Sequence, residues 1–195
     1  MTMTLIKKPN TTNEARAIAT LVTSFVADPA VRWMYPDPQQ YLTHFPDFVR
    51  AFGGKAFEND TAEDADGFRC AALWLPPGVQ PDEAAVAEVL QRSLDEERLP
   101  ELFSLFEQMG GFHPDEPHWY LPLVGVDPCE QGRGCGSVLL RNGLARCDAD
   151  GLPAYLEATS LRNISFYERF GFEAMGRIQT KTSPPIIPMF RPPQT

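Results

Sequence analysis

No apolar run in this 195-residue chain is long enough to span a bilayer, which excludes a transmembrane helix and a membrane partner. The opening stretch MTMTLIKKPNTT has lysines but no apolar stretch or small-residue cleavage site after them, so a secretory signal is not expected. Cysteine is scarce. Cys70, Cys129, Cys135 and Cys147 form neither a C-x-x-C pair nor a dense disulfide pattern, and reduced thiols in a cytoplasmic protein are the expectation. Histidine is scarcer still: His44, His113 and His118 have no close pair at metal-ligand spacing, so no metal is expected. Basic residues are outnumbered, with 17 Lys and Arg against 26 Asp and Glu for a net charge of −9. That balance argues against nucleic acid, whose backbone needs a basic face, and leaves room for a small positive site or a cationic substrate.

What is present is an ordinary globular composition, 43% hydrophobic and 22% charged, in a length that suits one well-cored domain. Thr11–Glu14 has the form of a capping box, and Ile18, Leu21, Val22 and Phe25 follow at helical spacing to about Ala27. Residues 28–38 read as a break and 39–52 as a helical region interrupted at Pro46. Residues 53–60 and 67–78 read as the strands of a hairpin, with the acidic run between them a solvated loop tip. Pro81-Asp82 opens a helix that Pro100 ends, and a second helical piece stops at Gly110-Gly111. Residues 118–126 are nearly all apolar and read as a central strand; Pro122, which cannot donate to a ladder, suggests a bulge there. A glycine loop, a helix to Cys147 and a strand at 153–159 come next. A short helix spans Asn163 to Phe170, with strands at 172–181 and, as an edge, in the proline-punctuated tail. One mixed α/β domain over 1–195 accounts for this order.

The glycine loop raises the chemical question. Between a strand and a helix, Gly132, Gly134 and Gly136 flank Arg133 and Cys135. Glycine leaves no Cβ to hold a ligand off the main chain and permits positive φ, so amides at the helix start are free for an anion, with Arg133 as a charged donor. A dinucleotide fingerprint would need glycine where Ser137 stands, and a Walker A loop would need a lysine that is absent. A tight turn that binds nothing is the alternative from the loop alone.

The run Val126-Asp127-Pro128, then Gln131-Gly132-Arg133-Gly134-Cys135-Gly136, resembles the acyl-CoA pyrophosphate loop of the GNAT superfamily of N-acetyltransferases. Tyr155-Leu156-Glu157-Ala158, Asn163 and Tyr167-Glu168-Arg169-Phe170-Gly171-Phe172 resemble its second signature, and the hairpin ending Trp74-Leu75-Pro76-Pro77-Gly78 is similar to puromycin-type relatives. The resemblance implies a mixed, mostly antiparallel central sheet with splayed central strands flanked by helices. Residues 1–115 would supply mainly the acceptor side and scaffold, and 116–195 the acetyl-CoA side. It implies acetyl-CoA as cosubstrate, with Val124, Val126, Gln131, Gly132, Arg133, Gly134, Cys135, Gly136, Ser137, Asn163 and Phe166 around it. The Val126 N–H would face the thioester carbonyl, and Tyr167 would be the general acid for the thiolate. Glu157 matches a strand carboxylate that serves some members as base; His118 and water are the alternatives, and Tyr120 stands where others have a carboxylate. Asn163 lies four residues before the tyrosine rather than seven, where Ser160 stands, and capping the short helix is its other role. Phe25, Trp33, Tyr35, Phe48 and Phe106 are candidates to line the amine pocket. The expected activity is acetyl transfer to a primary amine of a small molecule. A peptide or protein amine and a non-catalytic acyl-CoA-binding module are the alternatives, and a homodimer is left open.

Overall fold

The computed structural model describes residues 6–7 and 13–194. Thr11 of the expected capping box lies outside the described residues. In chain order the elements are β1 (Ile6–Lys7), α1 (Glu14–Ser24), α2 (Pro29–Met34), α3 (Pro38–Gly53), α4 (Lys55–Glu58), β2 (Ala62–Ala65) and β3 (Cys70–Leu75). There follow α5 (Glu83–Ser93), α6 (Leu99–Gly110), β4 (Trp119–Val126), α7 (Cys135–Ala149), β5 (Ala154–Ala158), α8 (Ile164–Glu168), β6 (Glu173–Ala174) and β7 (Ile187–Arg191). The strands form one seven-stranded sheet in the order β1-β2-β3-β4-β5-β7-β6. Every neighbouring pair is antiparallel except β4 and β5, which run parallel and pair only at Trp119↔Ala154 and Tyr120↔Tyr155. Beyond Tyr120 the two central strands part.

Each face of the sheet buries its own apolar layer. One packs Tyr35, Tyr41, Phe45, Leu73, Leu90 and Leu123 beneath the amino-terminal helices. The other packs Trp74, Leu139, Leu140, Leu156 and Phe172 beneath α7 and α8. At Gly143 of α7 a Cβ would stand 2.3 Å from the Trp74 indole, so glycine there is what admits that side chain to the layer.

Several expected elements differ, each for a physical reason. Residues 28–38 are not a break: the Asp28 carboxylate accepts from the amides of Ala30 and Val31 and starts α2, with Pro29 at its first turn. Helix α3 runs unbroken through Pro46, because the turn that loses its hydrogen bond lies at exposed Leu42, where water can serve the carbonyl. Residues 53–60 are the end of α3 and α4, and the acidic run is itself strand β2, with Glu63 and Asp64 each 1% exposed. Glu63 goes inward because Asn142 and Arg146 of α7 both donate to its carboxylate. Pro100 begins α6 instead of ending α5. Of the strand expected at 172–181 only β6 and an isolated Ile178↔Ile186 bridge form. The tail strand β7 is not an edge but sits between β5 and β6, fixed by Arg191, whose buried guanidinium makes paired bonds to Asp148 at 2.7 and 2.9 Å.

The thiols also differ from expectation. Cys70, the first residue of β3, and Cys135, the first of α7, form a disulfide with Cα atoms 6.4 Å apart. Cys129 is free and exposed, and Cys147 is free and buried, its thiol pushed up to about 12 by desolvation. No helix among the described residues is long and apolar enough to cross a membrane.

Candidate functional site

The gap between β4 and β5 begins at an irregularity in β4. Leu73 pairs with Leu123 and Leu75 with Tyr120, so Leu121 and Pro122 together oppose Trp74. The proline thus falls where the ladder is already broken. Further along, the Asp127 amide donates to the Arg69 carbonyl on the β3 side at 2.8 Å. Amides alternate sides along a strand, so those of Val126 and Val124 turn the other way, into the gap. The Val126 carbonyl, facing that side too, accepts from Gln131 Nε2 at 3.3 Å.

The loop after β4 is built to leave amides free. Asp127 caps a single 3-10 turn at Pro128–Glu130, accepting from the Cys129 amide at 2.8 Å. Gly134, with φ of 87°, is the N-cap of α7 and puts no side chain onto its first-turn amides. A Cβ at Gly136 would stand 3.1 Å from Val126 Cγ2, closing the floor between loop and strand. Bare amides at the start of a fifteen-residue helix, with no Cβ in the way, fit a pyrophosphate.

A groove of about 460 Å³ runs from this loop to the strand gap. Val124, Val126, Gln131, Gly132, Gly134, Cys135, Gly136 and Ser137 line its loop half. Asn163, Phe166, Tyr167 and Glu157 line the other. Arg133 is the exception. Its guanidinium bonds Glu130 Oε2 at 2.8 Å and projects from the rim. Asn163 makes no side-chain cap to α8 and faces the groove, so the capping role is not the one it plays.

Asp28, Thr159 and Arg169 also line this groove. Thr159 Oγ1 donates to Asp28 Oδ2 at 2.6 Å, tying the end of β5 to the start of α2 across the gap. Burial raises the Asp28 carboxyl above the usual range, against the hydrogen bonds that lower it. Tyr167 is buried, and desolvation first, then the nearby Asp28 charge, pushes its phenol well above the ordinary value. It therefore carries its proton at neutral pH.

On the other side of the gap lies a second cavity of about 550 Å³ between α5, α6 and β4. Phe52, Val86, Leu90, Phe106 and Tyr120 give it apolar walls, and Glu83, Glu107 and Glu157 are its carboxylates; among the described residues no lysine or arginine lines it. Of the aromatics expected around an amine, Phe106 reaches this cavity, whereas Phe25, Trp33 and Phe48 line a smaller aromatic cleft beside it and Tyr35 is sealed in the core.

Glu157 lines the groove, the cavity and the cleft alike. Its side chain is 3% exposed. Tyr120 donates to its Oε2 at 2.8 Å, while Oε1 receives no hydrogen bond from the described residues and lies 3.4 Å from His113 Nε2. Burial, then the Glu157 charge, holds the Tyr120 phenol far above its ordinary value, so it remains a donor. His113, in the connection from α6 to β4, was missed because no periodicity or motif marks it. His118, expected to act near the site, reaches it only through His113, whose Nδ1 lies 3.2 Å from His118 Nε2. No group of three His, Cys, Asp or Glu able to hold a metal ion occurs among the described residues.

Residues 102–172 match the Acetyltransferase (GNAT) family. An uncharacterized N-acetyltransferase of Schizosaccharomyces pombe is 28% identical over 197 residues, spanning 92% of this chain and 80% of that protein. Among solved structures, a protein of Corynebacterium glutamicum described as histone acetyltransferase HPA2 and related acetyltransferase superposes with a TM-score of 0.71 at 24% identity, covering 100% of this chain and 98% of that one. Arylalkylamine N-acetyltransferase 2 of Aedes aegypti does so at 0.69 and 13% identity, covering 99% and 100%. The matched segment holds the gap, the glycine loop, Glu157 and Tyr167.

Proposed function

This chain belongs to the GNAT superfamily of N-acetyltransferases, and on that premise we propose that it transfers the acetyl group of acetyl-CoA to the primary amine of a small, apolar molecule. The observation that carries the proposal is the position of Glu157. It is a buried carboxylate with one oxygen that accepts no hydrogen bond among the described residues, at the point where a groove suited to pyrophosphate meets an apolar cavity lined by three glutamates. A cationic amine with an apolar body matches that lining.

When bound, acetyl-CoA supplies an activated thioester. The amides from Gln131 to Ser137 would hold its phosphates, and Val124, Asn163 and Phe166 would flank its arm. Glu157 takes the proton that the substrate ammonium must lose before its nitrogen can attack. The Val126 N–H, turned into the strand gap, stabilises negative charge developing on the carbonyl oxygen. Tyr167 gives its proton to the departing sulfur, a task for which its raised pKa keeps it loaded. Arg133, engaged with Glu130, would reach a phosphate only from the rim.

A panel of primary amines assayed with acetyl-CoA for release of free thiol tests the proposal. Turnover with apolar amines, reduced about 100-fold or more in Tyr167→Phe with acetyl-CoA affinity retained, is the expected result. Thiol release from no amine, or unchanged turnover in the variant across pH, would contradict it.

A further inference from the structure

The hydrogen bonds around Glu157 fix where protons sit, and they leave one place vacant. The Glu116 carbonyl can only accept, so His118 Nδ1, 2.8 Å away, carries a hydrogen. Neutral His118 then has a lone pair on Nε2, and His113 Nδ1, 3.2 Å from it, must donate. Neutral His113 in turn has a lone pair on Nε2, which faces the undonated Oε1 of Glu157 at 3.4 Å. Two acceptors stand 3.4 Å apart with no hydrogen bond between them.

We infer that His113 and His118 form the route by which the substrate's proton leaves the site, with His113 sharing it with Glu157 and His118 passing it to water. The inference rests on the proposed acetyl transfer. The proton leaves the substrate nitrogen, whose electron pair it frees, and enters between Glu157 Oε1 and His113 Nε2. His113 then releases its Nδ1 proton to His118 Nε2, and half-buried His118 loses a proton to solvent, so the row returns to its starting charge. Which atom of each ring holds hydrogen reverses in transit, and re-equilibration with solvent resets it.

The other groups facing the row are compatible with this path. From β4, Tyr120 donates to the far carboxylate oxygen, leaving Oε1 to His113. From β5, the Tyr155 ring lies 4.4 Å from that of His113; its phenol, raised by burial, then by the Glu157 charge and hydrogen bonding toward that carboxylate, stays protonated and is a second donor beside Glu157. Glu83 of α5 and Glu107 of α6 share the cavity, and the Glu116 carboxylate acts on His118 from the connection before β4. Burial lowers the His118 imidazole below its ordinary value, which favours giving up a proton at neutral pH.

Two measurements decide the matter. Long-range proton–nitrogen NMR of the whole chain above neutral pH should find both His113 and His118 as the Nδ1–H tautomer; an Nε2–H tautomer at His113 overturns the inference. In steady state, His113→Phe keeps the ring that packs on Tyr120 at 4.6 Å and removes the nitrogens. His113→Gln keeps a polar side chain that cannot take a proton. Both should lose about 10- to 100-fold in kcat/KM for the amine at neutral pH, recover as pH rises, and keep the wild-type KM for acetyl-CoA. Wild-type turnover with either folded variant unchanged overturns this inference alone, whereas wild-type protein that acetylates no amine removes the functional reading beneath it.

Discussion

Tyr120 and Glu157 sit on the two central strands just where those strands separate, and the phenol donates to the carboxylate at 2.8 Å. The strands pair through Tyr120↔Tyr155 and no further, so this side-chain bond takes over where the backbone ladder stops. It also aims the carboxylate, because an oxygen occupied by Tyr120 leaves the other for a proton.

Tyr120→Phe removes that anchor and leaves Oε2 buried without its donor. A hydrogen bond to a charged group contributes about 1.5–3 kcal/mol. The variant is therefore expected to lose about tenfold or more in kcat for the amine, with acetyl-CoA affinity retained. Unchanged kcat would mean that Glu157 is positioned by other contacts.

Gly134 is tested through its backbone. At φ of 87° an L-residue is strained, and the left-handed region costs a residue with a Cβ about 1–2 kcal/mol. Gly134→Ala should weaken acetyl-CoA binding about 5- to 30-fold in calorimetric titration while the amine site stays intact. Wild-type affinity would show that these amides do not hold the phosphates.

The Cys70–Cys135 disulfide joins residues 65 apart and fastens the start of α7 to β3 beneath the glycine loop. Closing a loop of that size contributes about 2–4 kcal/mol. Cys135→Ser should lower the melting temperature in the absence of reductant and make no difference in its presence. A thiol titration of the unreduced, denatured chain should find two reactive thiols, Cys129 and Cys147, of its four cysteines. Four thiols would rule the bridge out.

How far the sequence could be read depended on how local the cause was. The glycine loop was legible because positive φ and close approach are demands that only glycine meets, and they act within a few residues. The order strand, loop, helix, strand, short helix from Trp119 to Glu168 was legible for the same reason. The acidic strand β2 was not. Glu63 is inside only because Asn142 and Arg146, 79 and 83 residues away, meet it there, and composition alone points such a run to solvent. Cys70 and Cys135 were hidden by the same kind of separation, as was β7, whose place inside the sheet depends on Arg191 reaching Asp148. At the site, Glu157 and Tyr167 were found through a paired motif. His113 was not, since only the path of the α6–β4 connection carries it to the carboxylate.

The central claim is that Glu157 is the first acceptor of the amine's proton, and Glu157→Gln tests it most directly. The substitution keeps the shape and a partner for Tyr120 while removing the basic oxygen. With an amine the wild type acetylates, kcat/KM for that amine should fall about 100-fold or more at neutral pH, while acetyl-CoA binds with unchanged affinity. Acetyl transfer by the variant at the wild-type rate and with the wild-type pH profile would contradict the account.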